Sequence, residues 1–291
     1  MGHPGCVPEG DVVWYTARRL REALAGRVLT RSDFRVPRFA TVDLSGQLVT
    51  EVVSLGKHLL IRTGNGLTVH THLKMDGAWR VRPASTAQGS STARGSGATR
   101  GSGATRSQRI AASHEIRLLL ANAEWVATGY RLGVTEVLRT ADEDRVVGHL
   151  GPDLLDPDWG EARMNEAVAR LAADGNKDRP VGEALLDQRN IAGLGTIFTA
   201  ETLFLRGVDP WRRVGDVDDL HLLVELGHRL LDANKTRTEQ VTTGDTRPGR
   251  GNWVYGRAGR PCRRCGSIIR RGEQGPPGQE RLRFWCPKCQ R

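Results

Sequence analysis

The sequence predicts an α+β chain of more than one domain: an N-terminal β-sandwich with a leading helix, a helical domain of helix–two-turn–helix form, and a hairpin closed by four cysteines. Three observations lead to this. Between residues 28 and 139, apolar residues fall in short alternating or unbroken runs separated by Gly-, Ser- and Asn-rich turns, as strands require. From Asp158 the apolar spacing changes to three and four residues, as helices require. Cys262 and Cys265 are separated by two residues, and Cys286 and Cys289 repeat that spacing.

The elements follow in order. Pro8 and Glu9 suit the first turn of a helix; Val13, Ala17, Leu20 and Leu24 recur along one face, and Gly26 can close the end. Strands are expected at Leu48–Val53, His58–Arg62, Leu67–Leu73, Ile116–Leu120, Trp125–Thr128 and Val134–Arg139, with turns at Gly56-Lys57 and Gly64-Asn65-Gly66. Residues 84–107 interrupt this pattern. They hold a repeat, Arg94-Gly-Ser-Gly-Ala-Thr99 and again Arg100 to Thr105, with almost nothing apolar to bury, and are expected to be a disordered loop. Helices are then expected through Met164, Val168 and Leu171, from Pro180 through Ala184 to Leu186, from about Thr196, and over Val217–Asn234. The expected domains are residues 8–150, 151–244 and 245–291, with 1–7 read as a non-native or mis-annotated extension.

A Cys-x-x-Cys pair aims two thiolates at one point. Two such pairs make a closed tetrahedral site for one structural Zn²⁺, with Cys262, Cys265, Cys286 and Cys289 as ligands. The same segment is strongly basic. From Asp245 onward there are twelve Lys and Arg against three Asp and Glu, so +9 of the formal +10 lies there. A metal-pinned hairpin carrying nearly all the net charge points to nucleic acid, although zinc ribbons also serve as folding staples or protein-docking knobs. No secretory segment and no apolar run of membrane-spanning length is visible, so a cytoplasmic monomer of bacterial type is expected, free of membranes and at the nucleoid when it acts. His70 and His72 alternate on one strand and have no carboxylate or thiol near them in sequence, so they read as packing or hydrogen-bonding residues.

The join from Leu186 to Thr196 contains Gln188-x-x-x-Ala192-Gly193-Leu194-Gly195 and leads straight into a new helix. Its glycines allow close backbone approach, and the fresh helix start offers unpaired N–H groups as a phosphate seat. Taken in order, Pro8-Glu9-Gly10-Asp11 on a helix, Gly56-Lys57 in an early hairpin, this double turn and the terminal four-cysteine hairpin resemble the Fpg/Nei family of DNA glycosylases in its endonuclease VIII form. The likeness runs from Val7 to Arg291 apart from the repeat.

The resemblance implies a base-excision-repair enzyme, a bifunctional DNA glycosylase and abasic-site lyase acting on DNA with oxidised bases or abasic sites. It implies that the secondary amine of Pro8 attacks C1′ of the damaged nucleotide. Glu9 would assist proton transfer, and Lys57 would contact phosphate or lesion near the reacting sugar. Arg281, five residues before the third cysteine, would clamp phosphate. A secondary amine forms a cationic iminium directly, which drives β- and then δ-elimination. A carboxyl one residue away supplies the acid/base that base departure needs.

The sequence departs from the family pattern in three ways. Pro8 is internal, and an amide nitrogen cannot form an iminium. Val7 fits a GTG codon, read as valine internally and as methionine at a start, so translation from position 7 with removal of the initiator would free Pro8. Otherwise the chain is a non-catalytic binder of damaged or abasic DNA with the same fold, its Pro8 blocked by Met1–Val7. Thr196 stands where the family has asparagine, and Asn190 is expected to take over part of that DNA contact. Met75 matches an apolar wedge inserted into the duplex, but around Tyr130-Arg131-Leu132 the family's Asp-Pro-Arg-Arg-Phe run is missing, and the connector after Asn234 is short. Oxidised pyrimidines and hydantoin-like bases are therefore expected over guanine lesions. A zinc-ribbon protein of RNA or ribosomes would explain the tail alone.

Overall fold

A computed structural model describes residues 8–85 and 113–291. Residues 1–7, with Cys6, and the repeat-bearing segment from 86 onward fall outside the described residues. The chain divides into two compact units. Among the described residues one holds 16–53, 59–85 and 113–142, and the other holds 8–15, 54–58 and 143–291. Residues 8–15 and the 54–58 hairpin tip thus group with the carboxy-terminal residues, a division that no single boundary along the chain describes.

The first unit is a β-sandwich. Its strands are β1 (Arg31–Phe34), β2 (Val49–Leu55), β3 (His58–Thr63), β4 (Leu67–His72), β5 (Ala78–Pro83), β6 (Ile116–Ala121), β7 (Trp125–Tyr130) and β8 (Val134–Arg139). They form two four-stranded sheets in the orders β1-β6-β7-β5 and β2-β3-β4-β8. Leu59, Leu60 and Ile61 are all buried, which is why β3 reads as an unbroken apolar run and occupies a central place in its sheet. β1 and β5 lack a long apolar run and are not separable as strands by pattern alone. Antiparallel pairing of β4 with β8 sets Glu136 opposite His70, and the carboxylate lies 2.6 Å from the buried ring's Nδ1. That partner is invisible at the sequence level because 66 positions separate the two residues.

Helix α1 (Gly10–Leu24) buries Val13, Ala17, Leu20 and Leu24, the face the spacing predicts. It begins two residues beyond Pro8. The Glu9 carbonyl accepts from the Val13 amide at 3.1 Å, so Glu9 is the residue that caps the helix.

The second unit continues with α2 (Asp144–Val147), α3 (Glu161–Ala172), α4 (Val181–Leu186), α5 (Thr196–Arg206) and α6 (Leu220–Asn234). Its core joins Leu154, Met164, Leu171, Leu185, Leu194, Phe198, Leu203, Leu223 and Leu231. α5 lies at the centre: Ile197 through Phe204 are all buried, and Gly207 ends the helix in the left-handed conformation at φ 72°. Truncating a central residue such as Leu203 to alanine is worth about 2–5 kcal/mol. β9 (Arg270–Gln274) and β10 (Arg281–Trp285) pair antiparallel as the predicted terminal hairpin. Among the described residues no helix is long and apolar enough to cross a membrane.

Candidate active site

Glu9 and the start of α5 define the site. The Glu9 side chain is 1% exposed, and its carboxylate accepts from the backbone amides of Gly195 (2.8 Å), Ile197 (2.6 Å) and Phe198 (3.3 Å). A residue that caps one helix with its carbonyl thereby caps a second with its side chain. The α5 start is therefore not the open phosphate seat that the sequence suggests, because three of its donors are already taken by a carboxylate from the same chain. Thr196, the first residue of α5, is half-buried, and its amide is not among those donors.

The glycines of the double turn make room for this contact. A Cβ on Gly195 would stand 2.3 Å from Glu9 Cδ, and one on Gly10 would stand 3.0 Å from the Gly193 backbone. Gly10 N–H donates to the Gly193 carbonyl at 2.9 Å. Gln188 braces the turn from within: its amide nitrogen donates to the carbonyls of Leu186 and Leu194, and its oxygen accepts from Gly193 N–H at 3.1 Å. The motif contained Gln188, but nothing in its spacing revealed that brace.

The β2–β3 hairpin tip is held to the same unit. Gly56 N–H donates to Asp153 Oδ2 at 2.8 Å, and the other oxygen of Asp153 accepts from Leu155 N–H at 3.0 Å. Gly56 has φ 55°, and a Cβ there would meet the Ala192 side chain at 2.9 Å, so glycine is required. This fixes the neighbouring Lys57, whose charge acts on both Glu9 and Asp11. Asp153 was missed by sequence reasoning; its only sequence signal is a place in a Gly-Pro-Asp turn.

The electrostatics suit proton transfer. Burial raises the Glu9 pKa to about 7; Lys57 opposes the rise, Asp11 adds to it, and the amides of Ile197 and Phe198 oppose it. Burial likewise raises Asp11 and Asp153 to about 6 each. A carboxyl that titrates near neutrality can both give and take a proton at working pH. Pro8, half-buried, precedes Glu9 directly.

Asn190 is engaged within the protein. It is 8% exposed, its Nδ2 donates to the Ala184 carbonyl at 2.9 Å, and its Oδ1 accepts from Asn176 at 3.1 Å. An amide with both ends engaged inside the protein braces the turn after α4. Met75, in the other unit, is 61% exposed in the turn after β4, directly after Lys74 at φ 53°. Arg281 is exposed at the start of β10. Arg283, which the sequence did not single out, is 1% exposed; it donates to Gln274 Oε1 at 2.7 Å and to the Gly182 carbonyl at 3.0 Å, locking the hairpin to α4.

The four hairpin cysteines converge. Their sulfurs all lie within 4.8 Å of one another, with Cys262–Cys289 at 3.9 Å and Cys265–Cys286 at 3.4 Å. Four thiolates around one metal at a bond length of about 2.3 Å stand about 3.8 Å apart, so the set fits a single four-coordinate ion. The first knuckle is shaped by backbone bonds from Gly266 N–H to the Cys262 carbonyl and from Cys262 N–H to Ser267. Around the sulfurs the core is small: Ala200, Phe204, Val254, Ile269 and Phe284.

Comparison with known proteins agrees with this geometry. A family model described as the formamidopyrimidine-DNA glycosylase N-terminal domain matches residues 7–121. A probable endonuclease 8 2 from Streptomyces coelicolor is 51% identical over 287 residues, covering 98% of this chain and 94% of that protein. The DNA-(apurinic or apyrimidinic site) lyase Nei2 of Mycolicibacterium smegmatis is 47% identical over 284 residues, covering 98% and 99%. A solved structure of Lactococcus lactis Fpg with abasic-site DNA superposes with a TM-score of 0.72, covering 98% of this chain and 100% of that one; at 20% identity that likeness concerns the fold alone.

Proposed function

Because the chain belongs to the Fpg/Nei family of DNA glycosylases, as an endonuclease VIII-like member, we propose that it is a base-excision-repair DNA glycosylase with abasic-site lyase activity, working through an iminium on Pro8. The observation that carries this reading is Glu9: one residue from Pro8, buried on the α5 amides, and titrating near pH 7.

In a chain that begins at Pro8, the amine lone pair attacks C1′ and the C1′–base bond breaks, the base leaving with a proton. The C1′–O4′ bond then breaks as protonated Glu9 gives its proton to O4′, which leaves the iminium. That cation acidifies the 2′ hydrogen, so proton loss there expels the 3′ phosphate; a second elimination expels the 5′ phosphate, and water releases Pro8. The protein's part is to hold the carboxyl dry and within reach, and three backbone donors with fixed geometry do so without side-chain freedom. Lys57 sits beside the carboxyl as the cation for a flanking phosphate.

DNA is the partner on this reading. The basic hairpin supplies sequence-independent attraction, the exposed Arg281 side chain makes no hydrogen bond or ion pair with the described residues and suits a phosphate clamp, Thr196 offers a hydroxyl at the α5 start, and exposed Met75 suits a wedge that fills the space left by an extruded base. The hairpin ion is Zn²⁺, held by four thiolates in a closed structural site with no open position for chemistry. Oxidised pyrimidines and hydantoins are the proposed lesions.

The test is borohydride trapping on an abasic-site oligonucleotide, with the 291-residue chain beside one that begins at Pro8. An adduct with the Pro8 chain alone is expected, since Val7 makes the Pro8 nitrogen an amide. Abasic-site binding with no adduct from either chain would replace the enzyme with a non-catalytic damage binder.

A further inference from the structure

The connector between α6 and the terminal hairpin borders a cavity of about 290 Å³, at the small end of the range for ligand pockets. Its lining includes Gln240 and Val241 from the start of the connector, and Asn252, Tyr255, Arg257 and Arg260 from its end. Both stretches are fixed from beneath. Val241 exchanges two bonds with the buried Asn234 side chain, its N–H donating at 2.7 Å and its carbonyl accepting at 3.0 Å. Buried Glu201 accepts from the amides of Trp253, Val254 and Tyr255 at 2.7, 2.9 and 2.8 Å. Thr242 N–H donates to the Gly251 carbonyl at 2.8 Å and ties one stretch to the other. A lining held in this way is preformed. The cavity lies beside the first turn of α1, because Gln240 Nε2 donates to Asp11 Oδ1 at 3.1 Å, two residues beyond Glu9.

The polar groups of the lining form a pattern. Asn252 Oδ1 is out of contact with water and has no hydrogen-bond partner among the described residues, a state that costs free energy. Rotation of the amide about its soft terminal torsion turns that oxygen into the cavity. Arg257 and Arg260 bring guanidinium donors to the same cavity; Arg257 is held by its bonds to the carbonyls of Trp253 and Pro261, and Arg260 is exposed. An acceptor set among cationic donors is the complement of a ring imide, in which one N–H stands between two carbonyls. It opposes the edge of an aminopyrimidine, whose ring nitrogen would meet the Asn252 oxygen lone pair to lone pair and whose amino group would face a guanidinium.

We propose that this cavity receives the extruded base and selects for an imide edge, with Asn252 Oδ1 accepting from the imide N–H and Arg257 and Arg260 donating to its carbonyls. This rests on the glycosylase reading and narrows its substrate class. Lesions derived from thymine and uracil carry that edge, as do hydantoin rings, whereas oxidised cytosines that keep their amino group lack it.

The lesions 5-hydroxyuracil and 5-hydroxycytosine differ at this edge alone, and each is placed in the same duplex opposite guanine. Single-turnover base release by chains beginning at Pro8 should favour 5-hydroxyuracil by at least about tenfold. Asn252→Leu should bring the ratio of the two rates close to unity, while Asn252→Asp, which keeps an acceptor oxygen, should retain the preference. A general loss from altered folding or metal content cancels in that ratio. Affinity of the 291-residue chain for the same two duplexes is the second readout and needs no cleavage. Absence of a preference by either readout, or a ratio that Asn252→Leu leaves unmoved, would overturn the proposal. A preference in affinity that Asn252→Leu abolishes, in a protein that releases neither base, would uphold the pocket and remove the enzymatic reading instead.

Discussion

Glu9 Oε2 accepts the amide proton of Gly195 at 2.8 Å, a bond spanning 186 positions of sequence. Because a Cβ on Gly195 would stand 2.3 Å from Glu9 Cδ, Gly195→Ala must push the carboxyl off the α5 start. The rate of strand cleavage on an abasic duplex should fall at least ~100-fold, the usual worth of a placed general acid. DNA affinity should change little. Single-turnover cleavage beside fluorescence anisotropy measures both, and an unchanged rate would take Glu9 out of the mechanism.

Stability should depend on pH in a direction set by three buried carboxyls. Burial raises Glu9 to about 7 and Asp11 and Asp153 to about 6. Unfolded, such groups titrate near ~4. Between these limits the folded protein holds protons that the unfolded chain has released, so stability is fullest at low pH and declines as pH rises to about 7. Asp187 and Asp245, lowered to about 2 by Arg189 and Arg247, act only on the acid side of that window. With metal saturating, thermal melts should give a lower Tm at pH 8 than at pH 6, and Glu9→Gln should flatten the slope. A Tm that rises over that range would contradict the burial of these groups.

Much of this was legible in the sequence, for reasons that particular residues make plain. The α1 face through Val13, Ala17, Leu20 and Leu24 follows from periodicity, and the cysteine cluster follows from spacing, because both are local rules. What stayed hidden was who meets whom across long separations. The glycines near residue 193 were legible as a place of close approach, yet the approaching group is Glu9 and not a ligand. Asp153 and Gln188 give no periodic or compositional signal, since a residue that braces backbone amides can belong to any turn. The burial of Asn190 was not legible, because polar side chains in a Gly-rich turn look exposed until their packing is known.

Asn190→Ala should therefore act on stability. Loss of its bonds takes the side-chain donor from the buried Ala184 carbonyl and leaves Asn176 Nδ2 with its bond to the Arg170 carbonyl alone, worth about 1–3 kcal/mol. Denaturant melts should show that loss, while the salt dependence of DNA binding stays as in the parent protein. A changed salt slope would restore Asn190 as a DNA contact.

Arg281→Ala should do the opposite. The Arg281 side chain is exposed and makes no hydrogen bond or ion pair with the described residues, so its truncation should leave the melt unchanged. If it binds a phosphate, the slope of log K against log salt should lessen by about 0.9. Arg283→Ala makes the contrast on the same strand: it strips donors from Gln274 and the Gly182 carbonyl and should lower Tm first.

Metal removal should reach further than the hairpin's size suggests. Cys262 and Cys286 belong to a core whose other buried members are Ala200, Phe204, Val254, Ile269 and Phe284, too few to order the segment without a cross-link. Arg263 and Arg264, between the first two cysteines, reach outside the knuckle: Arg263 donates to the connector carbonyls of Asn252 and Gly249, and the Arg264 guanidinium lies 4.6 Å from the ring centroid of Phe204 in α5 and 6.0 Å from that of Trp253 in the connector. Glu201, buried in α5, accepts from the amides of Trp253, Val254 and Tyr255 and so receives the same connector. A chelator should therefore release zinc one-to-one and raise amide exchange over residues 242–291, while exchange in the sandwich strands stays slow. DNA affinity should fall with the metal and return with its restoration. Loss of the metal without faster exchange between residues 242 and 291 would mean that the four sulfurs are held by packing alone.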